Sequence, residues 1–179
     1  MARSSRPPLG DALLSVATGL AALALYLPTV ATGVLEGDPG EFQLAAAIGG
    51  LAHPTGYPLY LSLGWLWAQV APAASPAHAL NLLSALFAAA AVGLTCRLVL
   101  ELGKDAPWWA AWPAGTAAGL TLAASATFWS QSIVAEVYTL HALLLAGLAL
   151  ATLKLAQRPD RWWVIGLIAG LGLAHHRMT

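Results

Sequence analysis

Residues 79–100 read ALNLLSALFAAAAVGLTCRLVL, an apolar run whose one charged residue, Arg97, falls near its end. A bilayer's hydrocarbon core is about 30 Å thick and is crossed by about 20 apolar residues in helical form. This stretch therefore reads as a membrane span. The rest of the chain agrees: 59% of its residues are hydrophobic and 9% are charged, where a soluble domain carries about 25% charge. Ala12–Leu35, Pro107–Phe128 and Ile133–Leu153 also have the length of a span, the last interrupted by Glu136 and His141. Trp162–Ala174 is shorter and stops at His175. Tyr57–Ala71 is shorter too: at 1.5 Å per residue it reaches only about 22 Å, and it reads as an interfacial or re-entrant helix. The expected fold is an all-α membrane bundle of about five spans. A tail over residues 1–11 precedes a membrane domain over 12–179, whose first loop is 36–78.

Positive charge orients the spans, because cytoplasmic loops collect Lys and Arg. Arg3 and Arg6 precede the first span, so the N-terminus is expected inside. The loop 36–78 has no Lys or Arg and is expected outside. If Tyr57–Ala71 does not cross, Arg97, Lys104, Lys154, Arg158 and Arg161 all fall on the cytoplasmic side. If it did cross, both later basic loops would face outward. Trp108, Trp109, Trp112, Trp162 and Trp163 suit an interfacial belt at the span ends. The first apolar run exceeds the usual 7–15 residues of a signal peptide's apolar region and reads as a retained anchor. The abrupt end after AHHRMT reads as an early cut in a longer chain. Net charge is zero with no basic tract, which leaves nucleic-acid binding without an electrostatic footing. The single cysteine, Cys96, makes no intrachain disulfide.

This topology gathers polar groups on the outer side. Asp38, Glu41, His53 and Tyr57 lie in the first outer loop, Glu136 at the outer mouth of the fourth span, and His175, His176 and Arg177 at the end of the fifth. Charged side chains at membrane depth cost several kcal/mol and mark cavities or function. Each group also has a plainer reading. Asp38-Pro39-Gly40-Glu41 fits a capping box with Asp38 as N-cap, Pro39 at N1 and Glu41 at N3. The spacing i, i+3 equally places both carboxyls on one side of a first helical turn. HPTGYP, residues 53–58, fits a turn that aims the next helix, with His53 merely solvated. Glu136 suits an interhelical hydrogen-bond anchor, and His141, off the Glu136 face, suits packing. The carboxylates and histidines supply O and N donors, so a divalent cation is a candidate cofactor. No local metal-ligand spacing such as HExxH supports one, and no residue is assigned as a metal ligand.

GDPGEFQLAAAIGGLAHPTGYPLY, SATFWSQSIVAEVYTLHALLLAG and GLIAGLGLAHHRMT, in that order, resemble a family of unknown-function domains similar to protein O-mannosyltransferases. The resemblance runs from Leu13 onward and extends to the GT-C superfamily of membrane glycosyltransferases. It implies a GT-C-like bundle whose first outer loop, just after the first span, carries an acidic motif, here Asp38 and Glu41. It implies a polyprenyl-phosphate-linked sugar donor, with mannose the sugar by family comparison alone, and a protein or lipid hydroxyl as acceptor at the outer membrane face. In this scheme Asp38 is the base and Glu41 assists it or holds the loop. His53 and Tyr57 line the sugar or phosphate pocket, and Glu136 orients a catalytic group or Arg177. His175, His176 and Arg177 face the phosphate. Transfer by one displacement inverts the anomeric centre. The Ala- and Gly-rich composition suits a bacterial inner membrane. GT-C enzymes have more spans than this chain. The alternatives are a transporter or lipid-handling protein using Glu136 and the histidines as a path, or a non-catalytic assembly subunit.

Overall fold

The structure, a computed structural model, describes residues 7–155 and 157–175. These residues form helices and no strand. The helices are α1 (Pro8–Tyr26, continued by a 3-10 turn Leu27–Thr29), α2 (Asp38–Ile48), α3 (Pro58–Ala68), α4 (Pro76–Leu102), α5 (Trp108–Ala124), α6 (Ala126–Ser132), α7 (Tyr138–Leu155) and α8 (Trp162–His175). Among the described residues, three segments are long and apolar enough to cross a membrane: Pro8–Thr29, Pro76–Leu102 and Tyr138–Leu155.

The central element is α4, flanked by α1, α5 and α7. It begins cleanly because the Ser75 side chain accepts the His78 N–H at 3.2 Å and Pro76 opens the first turn. Small residues let α1 lie almost against its backbone. A Cβ added at Gly19 would sit 2.7 Å from the Ala89 carbonyl oxygen, and one at Gly93 would sit 2.9 Å from that of Ser15. Without a hydrophobic driving force between helices in lipid, such backbone-to-backbone approach is a main source of association. Cys96 has a packing role here, its sulfur 3.9 Å from the Ser15 hydroxyl and 3.7 Å from that of Thr18.

Polar ties show which helix ends lie together. At one end Arg97 pairs with Asp11 and with Glu101, each at 3.3 Å. The Trp112 indole N–H donates to Asp11 at 2.8 Å and the Gln157 amide to Glu101 at 2.9 Å. At the other end the Tyr26 hydroxyl donates to the Ala123 carbonyl at 3.1 Å and the Ala31 N–H to the Ile133 carbonyl at 2.9 Å. So α1 and α5 run one way while α4 and α7 run back. The short α3 stays at the second end: its Tyr60 hydroxyl meets Ser84 at 3.3 Å and its Trp67 indole donates to the Ala79 carbonyl at 2.8 Å. It lies along the first turns of α4 rather than running its length.

Several boundaries differ from the sequence expectations. The first long helix gives way at Thr29, and the chain then runs irregularly to Gly37, at φ 72°. The segment expected as one helix over Pro107–Phe128 breaks at Ser125, whose extended backbone (ψ 133°) lets its side chain cap α6 by accepting the Phe128 N–H at 3.4 Å. The next long helix starts at Tyr138, not Ile133. Glu136 therefore lies in an irregular segment before the helix instead of inside it. The capping box is also displaced: Gly37 occupies the N-cap of α2, Asp38 is already its first residue, and no side chain caps it. Both carboxylates are thus released from capping.

Candidate active site

Three segments meet at the end of the bundle where α2 and α3 pack on α4. The first is the start of α2. Its position is set by Gln43, buried on the same helix, whose amide oxygen accepts the Leu35 N–H at 3.0 Å. The Gln43 NH2 donates to the Asn81 side-chain oxygen at 2.9 Å and to the Gly33 carbonyl at 3.3 Å, and Asn81 in turn donates to the Ala31 carbonyl at 2.7 Å. Two buried amides therefore fasten the irregular run 30–37 between α2 and α4. A Cβ at Gly40 would collide with the Leu35 carbonyl, so only glycine lets the chain fold back this tightly.

The second segment is the turn before α3. Gly56, at φ 85°, and Tyr57, at φ 44°, both adopt positive φ. A left-handed conformation at a bulky non-glycine residue costs about 1–3 kcal/mol and persists where surroundings enforce it. Here the Tyr57 ring is held edge-on against Phe42, with centroids 5.2 Å apart, and against His53 at 5.3 Å. Pro58 then opens α3. The third segment is the run before α7. Ser84 of α4 pins it, accepting the Glu136 N–H at 3.2 Å and donating to the Glu136 carbonyl at 3.3 Å.

These constraints bring Asp38, Glu41, His53, Tyr57 and Glu136 together. Glu41 accepts twice from one residue: its Oε1 takes the His53 backbone N–H at 2.6 Å and its Oε2 takes His53 Nδ1–H at 2.8 Å. The other ring nitrogen, Nε2, lies 3.4 Å from the Tyr57 hydroxyl. The hydrogen bond to His53 holds the Glu41 carboxyl below its ordinary pKa, and the same bond raises that of the His53 imidazole against the opposing effect of burial. Asp38 is exposed, and its charge helps to raise His53. Glu136 is 8% exposed, and burial, then the Asp38 charge, pushes its carboxyl up. Tyr57 is raised chiefly by burial, then by the neighbouring Tyr138.

Asp38, Glu41 and His53 each offer a ligand atom, all within 4.8 Å of one another, close enough to surround a divalent ion. Both Glu41 oxygens are already committed to His53, however, and an ion would have to break that double contact. The donor set fits a hydrogen-bonded carboxylate–imidazole pair better than a metal cage.

The histidines at the end of α8 divide. His175 is turned inward, 1% exposed, with Nε2–H donating to the Val137 carbonyl at 2.9 Å and its ring 6.4 Å from that of Tyr60 and 6.2 Å from that of His141. It supports the Glu136 segment from beneath instead of lining the surface beside His53. His176 and Arg177 lie outside the described residues. Sequence reasoning missed Gln43, Tyr60, Asn81 and Ser84. The available signal was an isolated amide or hydroxyl in an otherwise apolar helix, which must find a partner when buried.

The family model described as the protein O-mannosyl-transferase TMEM260 N-terminal domain matches residues 38–179. The Mus musculus protein named protein O-mannosyl-transferase TMEM260 is 34% identical over 148 residues, which cover 80% of this chain and 20% of the mouse protein. A Dictyostelium discoideum protein of the same name is 27% identical over 126 residues, covering 69% of this chain and 15% of that protein. The chain thus spans a fifth or less of the length of these curated relatives. No solved structure matches. The matched span contains the acidic turn, the His53 turn and the Glu136 segment, and the chain belongs to the family of the protein O-mannosyl-transferase TMEM260 N-terminal domain.

Proposed function

We propose that this chain is the N-terminal membrane part of a glycosyltransferase that moves a sugar from a polyprenyl-phosphate donor to a hydroxyl acceptor. Mannose as the sugar and a protein hydroxyl as the acceptor rest on the names of the relatives. The observation that carries the reading is the convergence of Asp38, Glu41, His53, Tyr57 and Glu136 at one end of an apolar bundle. Charge patterning supports the outer face for that end, since Arg97, Lys104, Lys154, Arg158 and Arg161 belong to the other.

Asp38 is the base. It is exposed, on the first turn of α2, and free of the capping bond that sequence pattern suggested. In the reaction it takes the proton of the acceptor hydroxyl as that oxygen attacks the anomeric carbon. The bond from that carbon to the phosphate oxygen breaks, and polyprenyl phosphate leaves with the electron pair. A single displacement inverts the centre. Phosphate needs no separate general acid, but its charge needs donors. His176 and Arg177 remain candidates for that task, with arginine suited by its bidentate fork. Glu136, near enough to feel the Asp38 charge, orients a sugar hydroxyl.

Transfer from radiolabelled polyprenyl-phosphate mannose, in membranes carrying the full-length protein, tests this. Asp38→Asn is expected to lower turnover by about 10²–10⁴, the usual range for loss of a general base. Wild-type turnover in Asp38→Asn removes it from that role, and absence of transfer by the wild type removes the reading.

A further inference from the structure

We propose that His53 takes an anionic oxygen of the donor's phosphate through Nε2, and that Glu41 is the residue that positions it for this. The inference rests on the transferase reading and assigns a residue to one part of it.

Phosphate approaching this end meets the negative field of Asp38, Glu41 and Glu136, all near enough to act on His53. Among the described residues no Lys or Arg lies there, so among them a histidine is the cation beside whatever Arg177 supplies. His78 uses Nδ1–H on the Ala31 carbonyl at 3.1 Å, and His175 uses Nε2–H on the Val137 carbonyl beneath the surface. His53 differs from both. Its side chain is 34% exposed, its Nδ1 is occupied by Glu41, and its Nε2 is directed to the Tyr57 hydroxyl at the long distance of 3.4 Å. When both ring nitrogens carry protons, both donate, so Nε2–H is the donor available for a ligand oxygen.

The ring is also oriented in advance. Glu41 grips the backbone N–H and Nδ1–H of the same residue, and the Phe42 ring lies 5.6 Å from the imidazole. The groups facing His53 are Glu41 and Asp38 of α2, Glu136 before α7 and the Tyr57 phenol; the carboxylates all favour the imidazolium. Glu41 thus neutralises itself against the ring it orients, which leaves less net repulsion for an arriving phosphate.

Binding of polyprenyl phosphate and of unphosphorylated polyprenol to the full-length protein in nanodiscs separates phosphate recognition from chain burial. The wild type is expected to prefer the phosphate. His53→Gln is expected to lose that preference by about tenfold or more, the scale of one charge-assisted hydrogen bond. Glu41→Gln weakens it partly and Glu41→Asp restores part of the loss. The preference falls as pH rises through the His53 titration, and this part of the pH dependence, beyond that of the phosphate's own second ionisation, is lost in His53→Gln. A purely structural role for His53 would not produce that pH signature. Competition by millimolar inorganic phosphate would assign the same contact to the free anion, and its absence to the lipid headgroup; either keeps the His53 contact. A phosphate preference retained in folded His53→Gln overturns the assignment while leaving the transferase reading intact. No preference in the wild type overturns both. Phosphate preference in the wild type without sugar transfer overturns only the transferase reading.

Discussion

Replacing Ser84 by alanine should disturb the Glu136 segment more than the loss of one small side chain suggests. The Ser84 hydroxyl is fully buried and makes three contacts: it accepts the Glu136 N–H at 3.2 Å, donates to the Glu136 carbonyl at 3.3 Å, and meets the Tyr60 hydroxyl at 3.3 Å. One hydroxyl has one donor and two acceptor sites, so all three can form together with the Tyr60 hydroxyl donating. Alanine orphans a backbone N–H, a carbonyl and a phenol in a buried region. Each orphaned group costs about 1–3 kcal/mol. The bonds are long and Glu136 is not fully shielded, so the lower bound applies, for a total of about 3 kcal/mol across the three groups. The direct readout is the melting temperature of the full-length protein in detergent, which should fall for Ser84→Ala. Tyr60→Phe, which removes the phenol and leaves Ser84 both of its Glu136 contacts, should fall by much less. Sugar transfer should fall as well in Ser84→Ala, because the chain carrying Glu136 is no longer fixed. Ser84→Ala with wild-type melting and wild-type transfer would refute the view that α4 holds the site segment through this hydroxyl.

Asp11→Ala removes a carboxylate that joins α1 to Arg97 of α4 and Trp112 of α5. Thermal melting should show a loss of about 2–4 kcal/mol, short of the 3–5 of a fully isolated partner because Arg97 keeps Glu101. Gly93→Leu should separate α1 from α4, since even a Cβ there lies 2.9 Å from the Ser15 carbonyl; loss of the monodisperse folded fraction in detergent checks it. Gly40→Ala should displace the acidic turn from Leu35 and depress transfer more than it depresses melting. The Glu41–His53 pair should give a pH window. Its His53 part is fully present below the ordinary 6.5 and lost as pH rises through the raised value; its Glu41 part is present above the ordinary 4.5 and lost as pH falls through the lowered value. The His53 ring resonances followed by NMR, over a range reaching well below pH 4.5 and well above 6.5, would report both limits.

The membrane character and much of the helix order were legible because apolar length is a one-dimensional property. Residues 79–100 lie wholly inside α4, and Trp162–Ala174 falls within one residue of α8. The short Tyr57–Ala71 segment was identifiable as too brief to run the length of the bundle. What escaped was set by polar groups reaching across the chain. The break at Ser125 needs a local capping bond, and the late start of α7 needs Ser84 to hold Glu136, 52 residues away. The pairing of Glu41 with His53 was hidden for the same reason: its span of 12 residues includes most of α2 and the left-handed Gly49 that ends it. Local pattern fitted a capping box there as well as a pair of carboxyls on one side of the turn, but Gly37 took the N-cap and left both acidic side chains free to point elsewhere. His175, expected to face the phosphate, is buried with its Nε2 on the Val137 carbonyl, a partner 38 residues away that local pattern does not show.

The Ser84 clasp on Glu136 has a consequence for biosynthesis. Asp38, Glu41 and His53 are made early and can pair as soon as α2 and the following turn emerge. Glu136 joins them only after α4 has been inserted and the nascent chain has come back through α5 and α6, because its anchor stands on α4. Ribosome-stalled intermediates in which the His53 turn but not Glu136 has emerged would therefore carry the acidic–imidazole pair without its third carboxylate, and assembly of the full cluster would mark the return of the chain to the surface it had left.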